Sequence, residues 1–182
     1  MSKDLTNSAV DRKNILNNQF AVQAIQNEIK LYGLHFEGKI VFFKKQVADF
    51  FEVSIRTIDN YINRYGEELL QNGYEILRGK RLNSLKLLVR ENNVNEVNFV
   101  NMKSPQIGIF DFRSFLSIAM LLVESERARI LRGEMLDIVI DTINMRTGGG
   151  TKYINQRDED FIQSWFKGED YCKEMKKMSL LN

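Results

Sequence analysis

Residues 42–64 read FFKKQVADFFEVSIRTIDNYINR, and this stretch decides the fold. Val47, Ala48, Phe50 and Phe51 are the apolar set of a short helix over residues 44–51. Glu52, Val53 and Ser54 make a tight connection, and Ser54 is a good N-cap for the helix that follows. In that second helix Ile55, Ile58, Ile62 and Tyr65 recur at steps of three, four and three, which predicts one buried face. Gly66 is expected to interrupt it, with a short continuation over residues 67–71. Two short helices around such a turn have the layout of a helix-turn-helix. Ala48 lets the helices cross closely, and Val53 is expected to pin the turn into the core.

Burial of that isoleucine face turns Arg56, Thr57, Asn60, Asn63 and Arg64 outward. These residue types suit DNA. Arginine bonds bidentately to guanine, asparagine to adenine, and threonine to phosphate or a thymine methyl. The N-terminal end of such a helix enters the major groove, which assigns Arg56, Thr57 and Asn60 to base edges and Arg64 to phosphate. Ser54 joins this candidate set at the cap.

The chain downstream adds charge. Tyr74–Leu77 (YEIL) and the run around residues 85–89 read as two strands, with Arg78, Lys80 and Arg81 at the tip between them. No acid lies between Glu75 and Glu91, while Lys86 and Arg90 extend the positive run. A basic hairpin directly after a recognition helix is the expected wing of a winged helix, holding phosphate rather than reading bases. Residues 40–90 hold nine Lys or Arg against six Asp or Glu, so this segment carries more positive charge than the +2 of the whole chain. The competing readings are a structural helical hairpin with no nucleic acid, and a basic strand edge that only protects itself from pairing.

Composition closes off other classes. The 182 residues are 43% hydrophobic and 27% charged, a globular balance with room for one ordinary domain or two small ones. The lone Cys172 excludes an internal disulfide framework and a multi-cysteine zinc site. The lone His35 excludes HExxH and most histidine-paired nucleophile schemes, and is expected as a solvated or packed strand residue. No enzyme activity, cofactor or metal is expected. Residues 148–152, GGGTK, lack the spacing of a phosphate loop and read as a joint. Asp158, Glu159 and Asp160 complement the dipole of a helix start. The N-terminus lacks the apolar core of a signal peptide, and the longest apolar run, residues 115–123, is too short to span a bilayer. A cytoplasmic protein with no membrane partner is therefore expected.

The flanks read mainly helical. One helix is expected over residues 14–31, then a β-hairpin over 34–43 turning at Glu37, Gly38 and Lys39. Residues 91–95 read as a loop and 97–102 as a short strand. A helix apolar all round is expected over 110–123. A second over 125–145 is expected to bury Leu131, Met135, Ile138 and Thr142, broadened by Ile140 and Ile143. Residues 125–129, SERAR, read as a solvated helix start, with an oligomer contact as the alternative. After the glycine joint, Phe161, Ile162, Trp165 and Phe166 make one aromatic stripe. The expected class is α+β, mainly helical: a winged helix-turn-helix followed by a helical pair.

The helix-turn-helix at 42–64, the following strand region, FDFRSFLSIAMLLVESERARILRGEMLDIV at 110–139 and GGGTKYINQRDEDFIQSWFKGEDY at 148–171 together resemble the RhuM-type virulence proteins. These are related in layout to phage KilA-type and Bro-type antirepressors. The resemblance covers residues 40–171. It implies a non-enzymatic DNA-binding regulator carried on mobile or prophage DNA. Arg56, Thr57, Asn60 and Arg64 match the exposed positions of the family's recognition helix by placement. Similar proteins continue further, so the last segment is expected to be cut short.

The expected division is residues 1–37, an N-terminal helix and the start of the hairpin; 38–95, the DNA-binding unit; 96–147, a helical dimerisation or regulatory region; and 148–182, the joint and C-terminal helix. The expected partners are double-stranded DNA and a second copy of the chain. The alternative is a protein-interaction module of antirepressor or antitoxin-like type, with an architectural helix-turn-helix and the stripe Phe161, Ile162, Trp165 and Phe166 as its contact.

Overall fold

The computed structural model of the chain describes residues 4–29, 31–92 and 100–147, with backbone alone at 141 and 143–147. The glycine joint, the aromatic stripe at 161–166, Cys172 and the first half of the expected strand at 97–102 lie outside the described residues, as does the side chain of Ile143. Within them the fold is α+β and mostly helical. In chain order it runs α1 (Ala9–Asn17), α2 (Gln19–Glu28), β1 (Leu34–Phe36), β2 (Lys39–Phe43), α3 (Lys44–Phe50) and α4 (Ile55–Gln71). Then follow β3 (Glu75–Arg78), α5 (Gly79–Glu91), β4 (Gln106–Phe110), α6 (Phe112–Leu121) and α7 (Glu126–Thr147). The strands form one antiparallel sheet in the order β1-β2-β4-β3.

The hairpin β1–β2 forms where expected. Glu37 and Gly38 both take positive φ, 48° and 76°, as a tight two-residue turn between right-twisted strands requires. His35 is an exposed strand residue. The single helix expected over 14–31 is instead two. Asn18 adopts extended backbone, and its side chain accepts a hydrogen bond from the Ala21 amide at 3.2 Å, so it ends α1 and caps α2.

The sheet separates two cores because its side chains alternate. Phe42 and Phe110 face the larger one, with Phe50, Phe51, Phe112 and Phe115 clustered behind them. Phe115 stacks on Phe51 at 5.1 Å between centroids and meets Phe50 edge-on at 5.1 Å. Each such ring contributes about 1.5–3 kcal/mol by leaving water. This core also takes in Ile15 and Leu16 of α1, Ile25 of α2, Val47 and Ala48 of α3, Ile58 and Leu69 of α4, and Leu131, Met135 and Ile138 of α7. The pair α3 and α4 and the helices before and after it therefore share one interior. Nine of the ten residues of α6 are buried in it. The exposed side of α7 carries Ile140, 52% exposed, which does not broaden the buried stripe as expected.

Val41, Phe43, Leu77 and Ile109 face the other way, against Leu82, Leu85 and Val89 of α5. The second wing strand expected around residues 85–89 is this helix. LKLLV reads locally as a strand, but Leu82, Leu85 and Val89 recur at steps of three and four, and that stripe covers the outer face of the sheet. Gly79, at φ +58°, turns the chain out of β3 into α5. The partner of β3 is β4, paired from Glu75 with Ile109 to Arg78 with Gln106. Residues 100–102 are not a strand, and the buried helix starts at Phe112 rather than 110, after the cap of Asp111 on the Ser114 amide. Gly108 lies under the Tyr74 ring, where a Cβ would sit 2.2 Å from its hydroxyl. No helix among the described residues is long and apolar enough to cross a membrane.

Candidate nucleic-acid interface

The turn between α3 and α4 is built from both sides. The Val53 amide bonds the Ala48 carbonyl at 3.0 Å, and half-buried Val53 packs on the core above Ala48. Ser54 caps α4 as expected, its Oγ accepting from the Thr57 amide at 3.0 Å and lying 2.9 Å from Thr57 Oγ1. Ile58 is fully buried and Ile62 partly so. Ile55, expected in the same face, is 40% exposed, because at the first helical position it lies beyond the edge of the core. Lys44 of α3 bonds Asp59 of α4 at 2.6 Å, which neutralises the acid on this helix's early turns.

Ser54, Arg56, Thr57 and Asn60 are thus brought together at the start of α4, all exposed except half-buried Thr57. The side chains of Arg56, Asn60 and Asn63 are exposed and make no hydrogen bond among the described residues, so their donors and acceptors face solvent. Arg64 lies further along, its guanidinium carbon 5.2 Å from the centre of the Tyr65 ring, where α4 bends out of helical geometry. Beyond the bend the helix continues to Gln71 as expected.

The expected basic tip does not stay together. Alternation along β3 places Arg78 on the sheet face opposite α5, the side of α3 and α4, and its Nε donates to Gln106 Oε1 across the ladder at 2.9 Å. Lys80 and Arg81 belong to α5, on the opposite face. Arg81 is held between Glu37, at 2.5 Å, and Glu75, whose carboxylate also grips it. The hydrogen bonds to these two carboxylates raise the guanidinium pKa, Glu37 more than Glu75, and hold both carboxyls below the ordinary glutamate range. Its charge is therefore met inside the chain. Lys86 donates to the Ser104 carbonyl at 2.7 Å. Lys80 and Arg90 stay exposed on the outer side of α5.

Two features escaped the sequence reading because their partners are remote. The connection between α6 and α7, with the first turn of α7, grips the α3–α4 pair at three places. Ser125 Oγ donates to the Phe51 carbonyl at 2.7 Å, Arg127 donates to the Phe50 carbonyl at 3.0 Å and pairs with Glu52 at 2.7 Å, and Tyr61 Oη bonds Glu124 at 2.7 Å while accepting from the Val123 amide. SERAR is thus a docking point on the turn. Burial, then the Glu124 carboxylate, push the Tyr61 pKa up. The second feature is Arg12, buried in α1. It holds Glu68 of α4 bidentately at 2.7 and 2.8 Å and also donates to the Leu5 and Thr6 carbonyls. No local pattern marks Arg12 or Arg127 as different from a surface arginine.

Comparison of the chain with protein-family models, with curated proteins and with solved structures returns no match.

Proposed function

We propose that the protein binds double-stranded DNA through α4 as a sequence-specific regulator, of the mobile-element type that its resemblance to RhuM-type proteins implies. The observation that carries this reading is the start of α4, where Arg56, Asn60 and Asn63 stand exposed and unbonded on a helix capped by Ser54 and anchored by Ile58. We read β2-α3-α4-β3-β4, with sheet order β2-β4-β3, as a winged helix-turn-helix whose wing carries the inserted helix α5. Arg78, on the helix-turn-helix face of that wing, takes the phosphate role. Arg81 drops out of it, since Glu37 and Glu75 already hold its charge. A dimer would pair two such helices on half-sites about 34–36 Å apart.

Fluorescence anisotropy tests this with a duplex from upstream of the gene, a scrambled duplex and two salt concentrations. Arg56→Ala is expected to erase the preference for the upstream duplex, a loss of roughly 1–3 kcal/mol of discrimination. Arg78→Ala is expected to weaken both duplexes alike and to flatten the salt dependence. Arg81→Ala is expected to change neither. Absence of binding to any duplex at low salt overturns the reading and leaves the helix-turn-helix as architecture for a protein partner.

A further inference from the structure

The turn of the helix-turn-helix contains a residue that its backbone does not favour. Glu52 sits at φ +54°, the left-handed region where a side chain crowds its own backbone and glycine is at ease. It is followed at once by Val53 and by Ser54, the cap that starts α4. The conformation of Glu52 therefore sets where the exposed face of α4 begins. Arg127 of α7 reaches this turn from 77 residues beyond Phe50 and holds it on both sides. One arm of its guanidinium donates to the Phe50 carbonyl at the end of α3, and the other pairs with the Glu52 carboxylate at 2.7 Å. The planar fork fixes both directions together, which a lysine cannot do. A cation at that point also complements the carbonyl end of α3.

We propose that Arg127 is a positioning residue for α4: its two-sided grip holds Glu52 in the left-handed conformation and so fixes the angle at which the DNA-facing residues leave the turn. The proposal rests on the DNA reading for its consequence, though the clamp itself can be read without DNA. It assigns the start of α7 a task in recognition in addition to packing, and it makes the placement of α7 a determinant of affinity.

The test is a cycle on the full chain with Arg127→Ala, Glu52→Gly and the two combined. Amide exchange at Val53 reports the turn, and anisotropy with a duplex enriched from a random pool by the wild-type protein reports recognition. Arg127→Ala is expected to speed Val53 exchange and weaken the duplex, each by about tenfold. Adding Glu52→Gly is expected to restore both, since glycine holds φ +54° without a clamp. Loss of packing alone would lower the melting temperature with no such rescue. Tyr61→Phe makes that comparison, because it severs another bond to the same connection and is expected to lower the melting temperature while leaving Val53 exchange unchanged. Arg127→Lys, which keeps the charge and loses the fork, is expected to fall between wild type and Arg127→Ala, and it carries the series should the alanine variant not fold. Wild-type exchange and affinity in Arg127→Ala, or a double variant no better than Arg127→Ala, overturns the proposal. If the wild-type protein enriches no duplex, the DNA reading is lost and the Val53 exchange cycle alone decides the clamp.

Discussion

Ser125 Oγ donates a 2.7 Å hydrogen bond to the carbonyl of Phe51, 74 residues earlier, and accepts one from the Ala128 amide at 3.1 Å. One buried hydroxyl thus caps α7 and satisfies the end of α3. Ser125→Ala leaves a buried carbonyl unpaired and an amide uncapped, so it is expected to lower stability by about 1–3 kcal/mol. Urea denaturation checks this, and an unchanged midpoint would mean that water replaces the hydroxyl at no cost.

Arg12 is 3% exposed and meets Glu68 bidentately. Breaking such a pair from one side leaves a charge uncompensated, so Arg12→Ala is expected to cost about 3–5 kcal/mol. Replacing both partners with apolar residues, Arg12→Met with Glu68→Leu, is expected to cost less than Arg12→Ala alone. Thermal unfolding of the three chains decides between an ion pair that matters through its partner and one that matters only through packing.

Two glycines in opposite settings give opposite signs. Gly73 has φ +103°, and a Cβ there would lie 2.1 Å from the Asp111 carboxylate, the cap of α6. Gly73→Ala is expected to cost about 3 kcal/mol, from backbone strain and from displacement of that cap. Gly133, within α7, has nothing within 4 Å of a Cβ. Gly133→Ala is expected to stabilise the chain by about 1 kcal/mol, the helix propensity difference. Melting temperatures moving in the same direction would contradict this account.

Arg81 lowers the titration of both Glu37 and Glu75 through hydrogen bonds to their ionised forms. A carboxyl lowered on folding stabilises the fold above the ordinary glutamate range. That contribution fades as pH falls through the lowered folded value. Carbon-detected titration should place both midpoints below those of an unperturbed glutamate, and Arg81→Gln should return both upward. The same variant should show a smaller loss of stability on acidification than wild type. Both sites are largely open to solvent, so the effect on stability is small and weakens with salt.

The helix pair α3 and α4 and the turn between them were legible because their signals are local: the N-cap at Ser54, the small Ala48, the turn residue Val53 and the spacing from Ile58. The hairpin at Glu37 and Gly38, the buried α6 and the stripe Leu131, Met135 and Ile138 on α7 were legible for the same reason. Periodicity of this kind depends only on neighbours along the chain. It failed at residues 79–91, where LKLLV satisfies a strand locally and the sheet's outer face selects the helix. It offered no reading of residues 106–109, most of β4, where Gly108 interrupts the apolar pattern and the Tyr74 ring lies against it.

By itself, then, the sequence determined the α+β class, the two helices around the turn at residues 52–54 and the residue types on the exposed start of α4. Tertiary structure decided which charges remain available. Arg56 and Arg81 are alike as sequence, yet one faces solvent unbonded and the other is held between two carboxylates. An arginine's own neighbours do not say which acid a fold will bring to it. That depends on where β1, β3 and α5 meet in space, which no spacing along the chain encodes.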